Sequence, residues 1–194
     1  MKITKEFIIK ELKSWGIFVA IIGALYFTGL LTDVAGTVQR FVVATGIVNA
    51  DTDQGVSGKA DYNWVLKEFE TGKQVKLSDF KGKMIFLNVW ASWCPPCIAE
   101  MPSIQSLYNQ LKNKEDVVFI LLNVDEDKTK ASKFLKRKEY TFPIYQKVTS
   151  TPSIFYSNSI PSTYVINKDG EVIYNHQGLA NYDSESFINM LTSD

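Results

Sequence analysis

The chain has 194 residues, 45% of them hydrophobic, and its 21 basic and 21 acidic side chains give a formal net charge of zero. That length and apolar content suit one domain with an appendage. The charge balance gives no basis for a nucleic-acid partner.

The first 14 residues carry Lys2, Lys5, Lys10 and Lys13 against Glu6 and Glu11. From Trp15 to Leu31 no charge occurs, a run at the short end of the ~17–25 residues that a membrane span takes. A transmembrane anchor is therefore expected over 15–32. The lysine bias makes 1–14 a cytoplasmic N-terminus, with Trp15 at the inner interface. A cleaved signal peptide is one alternative, although Val48-Asn49-Ala50, which resembles a cleavage site, lies far beyond the apolar run; a core helix is another, although no soluble domain needs one this uniformly apolar. Anchor and signal peptide alike place the rest of the chain outside the cytoplasm, where disulfides persist.

Residues 33–59 read as an amphipathic segment and a linker. Val34, Val38, Phe41, Val42 and Val48 recur at roughly helical spacing, suiting either a membrane surface or a helix packed on the domain. Asp51 to Lys59 is polar and glycine-containing. The domain proper is expected over 60–194. It opens with a hairpin from Tyr62 to Leu77, turning at Glu70-Thr71-Gly72-Lys73. Met84 to Trp90 reads as a buried strand, Ile98 to Leu111 as a helix and Val117 to Val124 as a second central strand. Asp125-Glu126-Asp127 reads as a solvated loop rather than a metal site. Lys128 to Lys138 is a basic helix with Ala131, Phe134 and Leu135 inward and a solvated charged face. Phe142 to Tyr145 is a short strand, and Ser150 to Ser159 a polar and aromatic loop. Tyr164 to Ile166 is a third central strand, and Glu171 to Asn175 returns antiparallel after the turn Asn167-Lys168-Asp169-Gly170. Tyr182 to Thr192 is a closing helix with Phe187, Ile188 and Leu191 inward. Alternating strands and helices define an α/β domain.

The chemistry sits at Trp93-Cys94-Pro95-Pro96-Cys97, between the buried strand and its helix. These are the two cysteines of the chain. The first turn of a helix offers unpaired N–H groups and partial positive charge, so Cys94 is expected to carry the exposed sulfur and a lowered pKa. Cys97, one turn deeper, can reach back to break a mixed disulfide. Pro95 and Pro96 suit a first turn but donate no N–H. The Cys94 thiolate is thus less stabilised than in a loop with donors there, which points to a reductant. A purely structural disulfide here would close a tiny loop and constrain little chain. A zinc site would need two more N or S ligands, and the chain has one histidine.

From Leu77-Ser78-Asp79-Phe80-Lys81-Gly82-Lys83 through Trp90-Ala91-Ser92-Trp93-Cys94-Pro95-Pro96-Cys97 to Glu100-Met101-Pro102, the sequence resembles the membrane-anchored, extracytoplasmic TlpA-like (ResA-like) reductases. The similarity covers about residues 60–192. It implies an α/β thioredoxin fold, a central mixed sheet flanked by helices with an N-terminal β-hairpin extension, preceded by one transmembrane helix. It implies Cys94 as the attacking and Cys97 as the resolving thiol. Pro161, after Ile160, matches the family's cis-proline beside the dithiol, which pairs with substrate backbone; Pro102 matches the proline that kinks the active-site helix. Glu100 shares a helix face with Cys97 and matches a carboxylate implicated in tuning the thiols. Trp93 joins the substrate platform. Asn88 stands where thioredoxin has a buried Asp, so the proton acceptor for Cys97 is Glu100, water or another group.

The leading reading is an anchored protein thiol–disulfide oxidoreductase, a reductant of protein disulfides, as in cytochrome c maturation. It acts on protein disulfide or thiol substrates, draws on a membrane electron donor, and needs no cofactor beyond the Cys94–Cys97 disulfide. Two alternatives stand beside it. One is a copper-binding assembly factor using the two thiolates and His176, although the related chaperones usually space their cysteines by three residues. The other is a thiol peroxidase-like redoxin, for which no Thr-x-x-Cys motif is evident. His176 otherwise reads as a surface or packing residue on a late strand.

Overall fold

The computed structural model describes residues 5–28, 50 and 58–193. A first helix, α1, covers Lys5–Thr28. Among the described residues no helix is long and apolar enough to cross a membrane. The end of the expected anchor, from residue 29, lies outside the described residues, as do 33–49 and 51–57 of the expected amphipathic segment and linker.

The domain is built on a strand, β3 (Met84–Trp90). It is apolar almost throughout because it is covered on both faces and paired on both edges. Its parallel neighbour is β4 (Val117–Asn123), in register from Met84↔Val117 to Trp90↔Asn123. Its antiparallel neighbour is β6 (Ser162–Ile166), with Asn88 opposite Thr163. Around this centre lie β1 (Val65–Glu68), β2 (Gln74–Lys76), β5 (Ile144–Lys147) and β7 (Val172–Gln177), in the order β2-β1-β5-β4-β3-β6-β7. The β1–β2 hairpin joins the mixed sheet through antiparallel pairing of β1 with β5.

Side chains alternate across a strand, and β3 shows the consequence. Ile85 and Leu87 enter one apolar cluster with Trp64, Leu66, Ile120, Tyr164 and Phe155. Phe86 and Trp90 enter the other, with Ile98, Met101, Phe134, Tyr182 and Phe187. The second cluster is covered by three helices, α2 (Pro95–Leu111), α3 (Lys128–Lys138) and α4 (Glu185–Thr192). Asn88 lies between Phe86 and Trp90 in the strand's alternation, so this polar side chain faces α2.

Several boundaries differ from expectation. The active-site helix starts at Pro95, because the first turn needs no N–H from its two prolines. The closing helix begins only after Ser184, whose hydroxyl accepts from Phe187 N, leaving Tyr182 in the preceding segment. The last strand runs two residues past Asn175, to Gln177. Lys59, expected in the linker, bridges to Glu171, while Val172 N donates to Gly58 O at 2.8 Å. Ala50 is also buried and donates its N–H to Asn181 O. Gly170 turns β6 into β7 at φ +82°, and a Cβ there would meet the Tyr62 hydroxyl at 2.7 Å.

The loop over 150–159 sends one side chain, Phe155, into the core. Its short 3-10 turn, Ser153–Phe155, drives Phe155 between Trp64, stacked at 5.4 Å, and the edge of Tyr164. Phe155→Ala is expected to cost about 3–5 kcal/mol, read as a lower urea midpoint. A loss under about 1 kcal/mol would make the loop peripheral.

Candidate active site

The site is assembled where β3 ends and α2 begins. Val124 N donates to Trp90 O at 2.9 Å, holding the end of β3 to β4. Asp125 then fastens the next residues: its carboxylate accepts from Ser92 N at 3.0 Å and Ser92 Oγ at 3.1 Å, and from Asn123 Nδ2 at 2.8 Å. Asp125 is buried, which corrects its reading as part of a solvated loop. Asp127 is the N-cap of α3, accepting from Thr129 N.

Cys94 is the N-cap of α2, in an extended conformation, with Pro95 and Pro96 beginning the first turn. The backbone N–H of Cys97 donates to Cys94 Sγ at 3.3 Å, and Ile98 N donates to Cys94 O at 3.1 Å. The two cysteines form a disulfide, with Cα atoms 5.3 Å apart. Cys94 is only 3% exposed and Cys97 not at all. The sulfur expected to be the exposed one belongs to the more accessible cysteine of the pair, but in the oxidised state that residue is nearly closed over. Trp93, beside it, is 57% exposed, and Pro95 and Pro96 are half-buried.

The Ile160–Pro161 peptide is cis. Ile160 O lies 3.7 Å from Cys94 Sγ, placed to accept from the thiol when the pair is reduced. This segment is braced on both sides. Ser162 Oγ donates to Ser159 O, Ser159 Oγ to Gln177 Oε1, and Gly178 N to Pro161 O.

Beneath the disulfide lies a fully buried polar group. Asn88 Nδ2 donates to Glu100 Oε1 at 2.8 Å and to Thr163 Oγ1 at 2.9 Å. Tyr182 OH donates to the same Thr163 oxygen at 2.7 Å. Burial pushes the Glu100 carboxyl well above its ordinary range; the Asn88 amide and a backbone hydrogen bond from Ala180 pull it back in part. Burial likewise raises Tyr182, helped by the nearby Glu100 and Tyr174. Pro102 lies inside α2 as expected. His176 sits on β7, its ring stacked by Tyr174. Among the described residues no group of three or more His, Cys, Asp or Glu side chains could hold a metal ion.

The structure thus brings together Cys94, Cys97 and Pro161, which are buried, with the more exposed Trp93, Pro95, Pro96 and Ile160, and sets Glu100 one turn further along α2. It adds Asp125, Thr163 and Tyr182. Thr163 carried one signal, its place two residues after Pro161; Tyr182 carried none, being far away in sequence.

The Redoxin family profile matches residues 57–189. The thiol-disulfide oxidoreductase ResA of Bacillus cereus is 37% identical over 125 residues, covering 64% of this chain and 71% of the relative. The protein of that name from Halalkalibacterium halodurans is 33% identical over 130 residues, covering 66% and 73%. Among solved structures, a Chlorobium tepidum protein assigned as thiol:disulfide interchange protein DsbE superposes with a TM-score of 0.58 at 28% identity, over 69% of this chain and 93% of that one. StoA from Bacillus subtilis superposes with a TM-score of 0.50 at 27% identity, over 60% and 88%.

Glu100 ties stability to pH. The folded chain holds its proton more tightly than the unfolded chain, where a glutamate releases it near about 4.3. The stability associated with that proton is complete below about pH 4.3 and is lost as pH rises through the folded-state value. In the oxidised protein, Glu100→Gln should match the parent most closely at pH 4 and be the more stable at pH 8 by urea denaturation. A variant less stable than the parent at pH 8 would contradict this.

Proposed function

Since this chain belongs to the redoxin family, as a ResA-like protein thiol–disulfide oxidoreductase with a thioredoxin fold, we propose that it reduces disulfides of extracytoplasmic proteins. The observation that carries the proposal is the position of the disulfide, at a helix N-terminus and against the cis Ile160–Pro161 bond.

In this reading the reduced Cys94 sulfur attacks one sulfur of a substrate disulfide. The substrate S–S bond breaks, one substrate thiolate leaves, and a mixed disulfide forms on Cys94. The helix end and the Cys97 N–H favour the thiolate form of Cys94. Ile160, held ahead of the cis bond to Pro161, offers backbone to the substrate, and Trp93 supplies an exposed apolar platform. Cys97 then loses its proton and attacks Cys94 Sγ, releasing the second substrate thiolate and restoring the Cys94–Cys97 disulfide. Two electrons pass to the substrate. Glu100, on the same face of α2 as Cys97, is the acceptor for that proton. Burial raises its proton affinity in the direction of a thiol's, which suits a group that takes the proton and returns it. When ionised it also disfavours a second negative charge on Cys97.

The anchor, over 15–32, is supported by the uncharged run and by the exposure of Trp15, Ile17, Phe18, Val19 and Ile21 on α1. With 1–14 cytoplasmic and 33–59 as the connecting segment, the domain over 60–194 faces outward. A membrane donor re-reduces it, and apocytochrome c or another thiol protein is the substrate.

The test uses the full chain with insulin as substrate and dithiothreitol as reductant. Cys94→Ser and Cys97→Ser should each fall to the uncatalysed rate. Cys97→Ser alone should accumulate a mixed disulfide on non-reducing gels. Undiminished insulin reduction by Cys94→Ser would sink the proposal.

A further inference from the structure

The hydrogen-bond chain beneath the disulfide has a direction, and its far end is a tyrosine. Asn88 Nδ2 supplies both of its protons, one to Glu100 Oε1 and one to Thr163 Oγ1. Asn88 Oδ1 makes no hydrogen bond with the described residues. A buried amide oxygen without a donor is costly, so a second arrangement competes. If the Thr163 hydroxyl turned its proton toward Asn88, the amide could turn over and satisfy Oδ1. That would present oxygen, rather than N–H, to Glu100.

Tyr182 opposes this. Its hydroxyl donates to Thr163 Oγ1 at 2.7 Å. A threonine hydroxyl has one proton and two lone pairs; with both lone pairs engaged, its proton points away from Asn88. Tyr182 is itself well held: its N–H donates to Ser103 Oγ, whose hydroxyl donates to Glu100 O, and its ring packs edge-on against Phe86 and Phe187. All four residues of the chain, Asn88, Glu100, Thr163 and Tyr182, are closed to solvent, so no water can substitute readily for a lost bond.

The geometry points to Tyr182 as a positioning residue that, acting through Thr163, fixes the Asn88 amide as a donor to Glu100. Among titratable groups, Tyr182 ahead of α4 lies near Glu100 and in turn near Tyr174 on β7, and Cys97 stands one turn earlier on Glu100's own helix. Because the amide donor favours the ionised carboxyl, losing it makes Glu100 hold its proton more tightly. The bearing of this on catalysis rests on the reading of Glu100 as the proton acceptor for Cys97.

The test is a ¹³C-carboxyl NMR titration of the oxidised full chain, with the Glu100 signal assigned by its loss in Glu100→Gln. Tyr182→Phe keeps the ring packing and removes only the hydroxyl; it should move the Glu100 midpoint up by about half a pH unit, about threefold in proton affinity. Thr163→Val should move it the same way, and Thr163→Ser, which keeps the hydroxyl, should leave it in place. If Tyr182→Phe does not fold, the Thr163 pair decides. A midpoint unmoved by Tyr182→Phe, or equal in Thr163→Val and Thr163→Ser, overturns the inference. The reading of Glu100 as proton acceptor fails separately, if Glu100→Gln leaves the pH profile of insulin reduction unchanged while the titration shifts stand.

Discussion

Water is kept from both cysteines and from the carboxyl one turn further along α2: Cys94 retains 3% of its surface and Cys97 and Glu100 none. In such a place an ionised group depends on the few donors that reach it. Cys94 Sγ has the Cys97 N–H and the helix end; the prolines at 95 and 96 bring no N–H of their own. Glu100 has the Asn88 amide and the Ala180 backbone, and these do not outweigh its burial. The site is therefore sparing in its support of negative charge. Reducing the disulfide creates groups that can ionise, and their weak stabilisation favours giving the electrons away.

That environment is a product of the strand order. β3 is paired on both edges, which puts Asn88 opposite Thr163. The alternation of β3 turns Asn88 toward α2, between Phe86 and Trp90. The same strand delivers the chain to Cys94, and β6 begins directly after the cis proline. One sheet centre thus sets both the surface chemistry and the buried acid under it. Asp125, from the end of β4, holds Ser92 and so steadies the turn between them.

The parts legible in the sequence were those encoded locally. β3 stood out because a doubly covered strand is apolar at all but one position, Asn88, and α3 because its apolar positions repeat at helical spacing within a charged segment. The dithiol was legible because its cysteines and prolines are adjacent. What was hidden depends on contacts between distant segments. Asp125 looked like one of three solvated acids until Ser92, 33 residues away, was placed beside it. Phe155 sat in a polar stretch with no periodicity, and only Trp64 and Tyr164 make it core. Tyr182 fitted a helical pattern, yet it precedes the helix and works through its hydroxyl. The prolines at 95 and 96 read as suited to a first turn, and α2 does start there, three residues ahead of the Ile98 at which the helical run was begun.

Whether donor-poor and buried surroundings make Cys94–Cys97 a reductant is decided by its reduction potential at pH 7, measured by equilibration of the full chain with thiol–disulfide redox buffers. Such surroundings should give a value below about −200 mV, on the side of the glutaredoxins and thioredoxin. A value near about −120 mV, where the strong oxidants lie, would contradict it.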